Sequence, residues 1–137
     1  MDARSVTVEF AQIRVARPTD RLAEVERFYA EYLGLPVLYR FDDHDGYSGV
    51  MLGLPGSEYH LEFTTHVAGS PCPAPTADNL LVLYFHGDAQ MYAMVERLAA
   101  AGCAPVEPEN PYWNKVGALT FEDPDRWRVV LVPRRVI

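Results

Sequence analysis

The chain is expected to fold as an α+β domain of two βαβββ modules, with the strands forming a curved mixed sheet around a cleft and the helices on the outside. Three observations lead there. Apolar residues alternate at period two, switch to helical spacing and return to three short alternating runs, and the whole order recurs at an offset of about 70 residues. The two helical stretches echo one another as ERF at 26–28 and ERL at 96–98. A single such module has too few strands to cover its helix and also close on itself, so two are expected to combine their sheets. With 137 residues, 49% hydrophobic and 23% charged, the chain has the length and composition of one globular domain. Module one spans about 5–65, a linker about 66–77 and module two about 78–133.

Each element has its own signature. SVTVEFAQIRV, residues 5–15, reads as a strand with Ile13 and Val15 on one side and Phe10, Gln12 and Arg14 on the other. In TDRLAEVERFYAEYLGL the period becomes helical, through Leu22, Val25, Phe28, Tyr29, Tyr32 and Leu33. Thr19 or Asp20 can cap its start, and Gly34 suits the left-handed position past its end. Strands follow near 36–41, 47–53 and 58–65, separated by the turn sequences DDHDG and LPGS. In SEYHLEFTTH, Tyr59, Leu61 and Phe63 form one face, and His60, Glu62 and Thr64 the other. GSPCPAPTAD is a connector. NLLVLYFH then begins the second module, and Asp88 can cap a helix that buries Met91, Met94, Val95 and Leu98 before Gly102 stops it. Strands near 104–107, 116–122 and 126–132 complete it, with NPYWNK and EDPDR between them.

The charge balance excludes several functions. A formal charge of −7 with only 12 Lys and Arg argues against tracking nucleic-acid phosphates and against anionic membranes. No signal-peptide pattern opens the chain and no apolar run approaches the roughly 18 residues of a spanning helix, so a cytoplasmic protein is expected. Cys72 and Cys103, without CxxC spacing, read as ordinary thiols. There is no Gly-rich phosphate loop and no GxSxG elbow.

The stretches IRVARPTDRLAEVERFYAEYLGL, YHLEFT and GALTFEDPDRWRVVLVP resemble the glyoxalase / bleomycin-resistance / extradiol dioxygenase superfamily, the vicinal oxygen chelate proteins. The resemblance covers nearly the whole chain. It implies the paired-module fold and a small-molecule ligand or substrate, and it points to a homodimer, since related proteins often build their clefts with a neighbour's help. It is less specific for activity, because the superfamily hosts lyases, isomerases, dioxygenases and drug-binding proteins on one scaffold. Its metal-using members place ligands at four equivalent points, which fall here on Phe10, Glu62, Asn79 and Val130. Only Glu62 is a good ligand, since Phe and Val cannot coordinate and Asn offers a neutral amide oxygen. No cofactor is therefore expected. A divalent metal remains the alternative, held by Glu62 and His60 with Gln12 as a weak third ligand. His44, in DDHDG, reads as part of a solvated turn, and Arg126 stands where the family commonly shows Gly.

On this reading Glu62 looks into the cleft with Arg14 and His60 as neighbours. Desolvation would raise its pKa and the guanidinium would lower it. Glu62, with His60, is then either a catalytic general base or an anchor for a ligand amine or hydroxyl, and Arg14 a clamp on a carboxylate, phosphate or enolate. Alternatively the two form a structural ion pair. Gln12 and Asn79 are further ligand-binding candidates. Tyr112 and Trp113 could rim the pocket, pack onto a dimer partner or plug a gap. The expected function is small-molecule binding in a metal-independent pocket, for sequestration or for proton transfer at Glu62. The alternatives are a metal-dependent glyoxalase-like lyase, isomerase or dioxygenase with altered ligands, and a non-catalytic scaffold or regulatory protein.

Overall fold

A computed structural model describes residues 7–137. In chain order the elements are β1 (Ile13–Pro18), α1 (Leu22–Glu26, continued by a π-helical stretch Arg27–Tyr32), β2 (Val37–His44), β3 (Tyr47–Gly53), β4 (Tyr59–His66), β5 (Leu80–Tyr84), α2 (Asp88–Ala100), α3 (Tyr112–Lys115), β6 (Leu119–Glu122) and β7 (Arg128–Val132). The strands form two mixed sheets, one ordered β1-β4-β3-β2 and the other β5-β7-β6. In each, the first and last strands of the module pair in parallel, β1 with β4 and β5 with β7.

Three details depart from expectation for physical reasons. The first strand was expected over 5–15; residues 5 and 6 lie outside the described residues, and pairing begins at Ile13, opposite Tyr59. β4 starts there, so residues before Ile13 have no ladder to join, and Phe10 and Gln12 precede the strand. The strand expected at 104–107 is reduced to one bridge, Val106 to Thr120, because Pro105 and Pro108 on either side cannot donate to a ladder. The NPYWNK loop winds into the short helix α3 behind Pro111, and the Asn110 side chain accepts the Tyr112 N–H at 3.0 Å.

The first helix also loosens after Glu26. The Leu33 N–H reaches back five residues to the Phe28 carbonyl at 3.0 Å, a π-helical bond. The wider turn lets adjacent Phe28 and Tyr29 both bury, in edge-to-face contact at 5.0 Å, while Tyr29 stacks on Phe63 of β4 at 4.7 Å. Leu61 and Phe63 join this helix-side core, as do Leu81, Val129 and Leu131 in the second module.

The EDPD turn locks the modules together. Arg17 at the end of β1 donates to Asp123 at 2.6 Å and to Asp125 at 2.8 Å. Its guanidinium lies over the rings of Phe63 and Trp127. Thr19 Oγ1 donates to Asp125 at 2.6 Å, and the Tyr29 hydroxyl to Asp123 at 2.8 Å. The other Asp123 oxygen accepts the N–H groups of Asp125 and Trp127, closing the turn. Arg126, at φ +68°, occupies the left-handed position that favours glycine.

Burial, and then the negative charge of Asp123, pushes the Tyr29 phenol well above its ordinary value of 10.0. A group whose folded pKa is raised contributes stability that is complete below its unfolded pKa and is lost as pH climbs through the folded value. Tyr29→Phe is therefore expected to cost about 1–2 kcal/mol at pH 7, through the lost hydrogen bond. It should also flatten the decline in stability above pH 10. Urea unfolding across pH 7–11 checks both; a variant with an unchanged alkaline slope would show that Tyr29 does not carry the effect.

Candidate functional site

The parallel register of β1 and β4 sets Arg14 beside His60 and Ala16 beside Glu62, and β3 adds Met51 beside Glu62. These side chains share the face opposite Leu61 and Phe63, because alternate residues of a strand point the same way. Arg14 Nε donates to His60 Nε2 at 2.9 Å. Its guanidinium lies 3.8 Å from Glu62 Oε2 and 3.5 Å from Met51 Sδ. His60 is almost wholly buried at 4% exposure, and the Glu62 side chain is 13% exposed against 45% for Arg14. In that contact His60 Nε2 is the acceptor. That contact also occupies the lone pair a metal would use. Glu62 is left as the sheltered acceptor and Arg14 as the accessible cation.

Apolar side chains extend the face towards β2, where Tyr39 and Phe41 stack at 6.4 Å. Gly49 permits this, because a Cβ there would lie 2.6 Å from the Phe41 ring and 2.9 Å from the Phe63 carbonyl oxygen. At the other end of the sheet a hollow of about 300 Å³ is lined by Gln12, Leu38, Gly53 and His60. Arg14, His60 and Glu62 thus come together, with Gln12 bordering the adjoining hollow.

The other sequence candidates lie elsewhere. Asn79 precedes β5, and its amide oxygen accepts the Thr76 hydroxyl at 2.6 Å. Trp113 packs into an apolar cluster with Ala118, Val130 and Val132, so α3 fills the corresponding face of module two. Tyr112 meets Trp113 edge to face at 5.1 Å and is 42% exposed. Met51, Tyr39 and Phe41 were not singled out from sequence; the only signal was their strand parity. The Arg17–Asp123–Asp125 lock was also missed, although the EDPD motif marked half of it.

The four metal points of the superfamily do not converge as a donor set. Phe10 is 72% exposed ahead of β1, Val130 is sealed in the apolar cluster, and Asn79 is engaged with Thr76. Among the described residues, no three His, Cys, Asp or Glu side chains are grouped to hold an ion. The side chain of His44 is 84% exposed and lies 4.0 Å from Asp45. The residues present do not fit the superfamily's metal. No helix among the described residues is long and apolar enough to cross a membrane.

Paired β-α-β modules around a sheet face carrying Glu62, with an EDPD turn joining them, define a member of the glyoxalase / bleomycin-resistance superfamily. Residues 13–64 match the YycE-like N-terminal domain and residues 78–133 the YycE-like C-terminal domain. The chain is 47% identical over 132 residues to the uncharacterized protein YycE of Bacillus subtilis, covering 96% of this chain and 94% of that protein. The 2.0 Å crystal structure of a YycE protein of unknown function from Bacillus subtilis superposes with a TM-score of 0.87 at 48% identity, over 93% of this chain and 92% of that one. The chain belongs to the YycE-like family. More distant structures share the fold. Trypanothione-dependent glyoxalase I of Leishmania major aligns at a TM-score of 0.68 and 19% identity, over 91% of this chain and 87% of that one. The antibiotic-binding protein TnmS3 of a Streptomyces species aligns at 0.67 and 20%, over 95% and 100%.

Proposed function

We propose that this protein binds a small organic molecule on the Arg14–His60–Glu62 face without a resident metal, either to sequester it or to move a proton at Glu62. The observation that carries this reading is the state of the Glu62 carboxylate. It is largely sheltered, and among the described residues its charged neighbour is Arg14, at 3.8 Å, beyond hydrogen-bonding distance. A ligand hydroxyl or amine can hydrogen-bond this carboxylate while its carboxylate, phosphate or enolate engages the exposed Arg14. Met51, Tyr39 and Phe41 offer the apolar wall such sites use. The antibiotic-binding TnmS3 shows what a protein of this fold can bind, and supports a binding role. A homodimer, with a second copy covering the open side of the face, and a cytoplasmic location belong to the same proposal.

The test is a thermal-midpoint screen of small polar-aromatic acids and hydroxy compounds, with and without chelator. The proposal expects hits that raise the midpoint equally in both conditions. Hits that vanish with chelator would favour a metal-dependent glyoxalase-like enzyme, and an absence of hits would favour a scaffold.

A further inference from the structure

A second hollow lies across β1 from β4. It measures about 450 Å³ and runs between four successive residues of β1, Val15–Pro18, and three at the start of the β5 edge, 79–81. Both strands are sheet edges. The Ile13 and Thr19 N–H groups bond to Glu58 and Thr64, so by alternation Val15 and Arg17 face β4, whereas the N–H and C=O of Ala16 face away. The Asn79 carbonyl accepts the Arg128 N–H and the Phe85 N–H reaches Val132, so Leu80 likewise turns its main-chain groups away from β7. Among the described residues, two unpaired edges therefore border one slot. Pro18 has no N–H to offer there, which blunts further strand addition.

The slot's floor is aromatic and aliphatic, from Phe63, Tyr29, Leu61 and Trp127. Its two cations are already neutralised, Arg17 by Asp123 and Asp125, and Arg128 by Glu122 at 3.2 Å. An anionic ligand would find no uncompensated charge. Val15, 63% exposed, projects an apolar surface into the gap.

We propose that the slot between β1 and β5 is a second binding site, for a neutral, flat, largely apolar molecule that hydrogen-bonds the free main-chain groups of Ala16 and Leu80. It does not depend on the role assigned to Glu62, which does not line the slot. Because β1 forms a wall of both sites, occupancy of the slot would also be felt at Arg14.

The probe is N-phenyl-1-naphthylamine, neutral and flat, added to the full chain carrying Trp113→Phe so that Trp127 is the sole tryptophan donor. Saturable binding of one dye per chain, with energy transfer from Trp127, is expected. Val15→Phe, at an exposed position that leaves the core intact, should weaken binding at least 10-fold with the urea midpoint unchanged, and Glu62→Gln should leave affinity unchanged. The dye should also slow alkylation of Cys72, which lines the slot, and leave Cys103 alone. Burial pushes the Cys103 thiol pKa up, so that thiol reacts slowly throughout. Non-saturable binding, full affinity in Val15→Phe, loss of binding in Glu62→Gln, or one dye per two chains would overturn the proposal, the last by placing the dye between copies.

Discussion

Asp123→Ala is expected to lower folding stability by about 3–5 kcal/mol, a large part of what a domain of this size possesses. The substitution removes more than an ion pair. It orphans the Tyr29 hydroxyl, leaves two turn N–H groups without an acceptor, and halves the compensation of Arg17, whose side chain is only 11% exposed. Burial raises the Asp123 pKa despite the opposing influence of Arg17 and the hydrogen bonds. That shift compares the charged with the neutral carboxyl; deletion removes both forms, so the two statements do not conflict. The sign gives a second signature. With its folded pKa above 3.8, Asp123 contributes stability that is complete below that value and lost as pH rises through the folded pKa, so it does not promote acid unfolding. Asp123→Asn, which can keep the turn bonds through its amide oxygen, should cost less than the Ala variant and lack this pH dependence. Urea unfolding from pH 3 to 8 decides; equal costs for Ala and Asn would show that the turn bonds contribute little.

Glu62→Gln should weaken binding of any ligand recovered by the screen by about 30-fold or more, the usual consequence of truncating one side of a sheltered, charge-assisted contact. Folding stability should hardly change, because the 3.8 Å pair with Arg14 is loose and Arg14 is half exposed. Arg14→Ala should also weaken binding, and in addition frees His60 Nε2. If the protein catalyses proton transfer, Glu62→Gln abolishes turnover beyond its effect on affinity. A variant that binds as the wild type does would return Glu62 and Arg14 to a structural ion pair. Calorimetric titration of both variants against one ligand separates these outcomes.

The module order and the two faces of β4 were legible in the sequence because strand parity is a local property: SEYHLEFTTH alternates, and the fold follows. What was not legible depended on distant partners. β1 begins at Ile13 because β4 begins at Tyr59. Arg17 meets Asp123 across 106 positions of chain, and nothing near Arg17 announces it. Trp113 could be given no single role from sequence, since its use as filler follows only from Val130 and Val132 standing where module one has open strand face. His60, read as a candidate beside Glu62, has its Nε2 engaged by Arg14 from 46 positions away, a pairing only the β1–β4 register reveals.

The most direct test of the binding face is a nuclear magnetic resonance titration of metal-stripped protein with the strongest small-molecule hit. Saturable shifts centred on Arg14, Met51, His60 and Glu62, unchanged when zinc or manganese is restored, are the predicted result. Shifts that appear only with metal, or that map away from these four residues, would contradict the account.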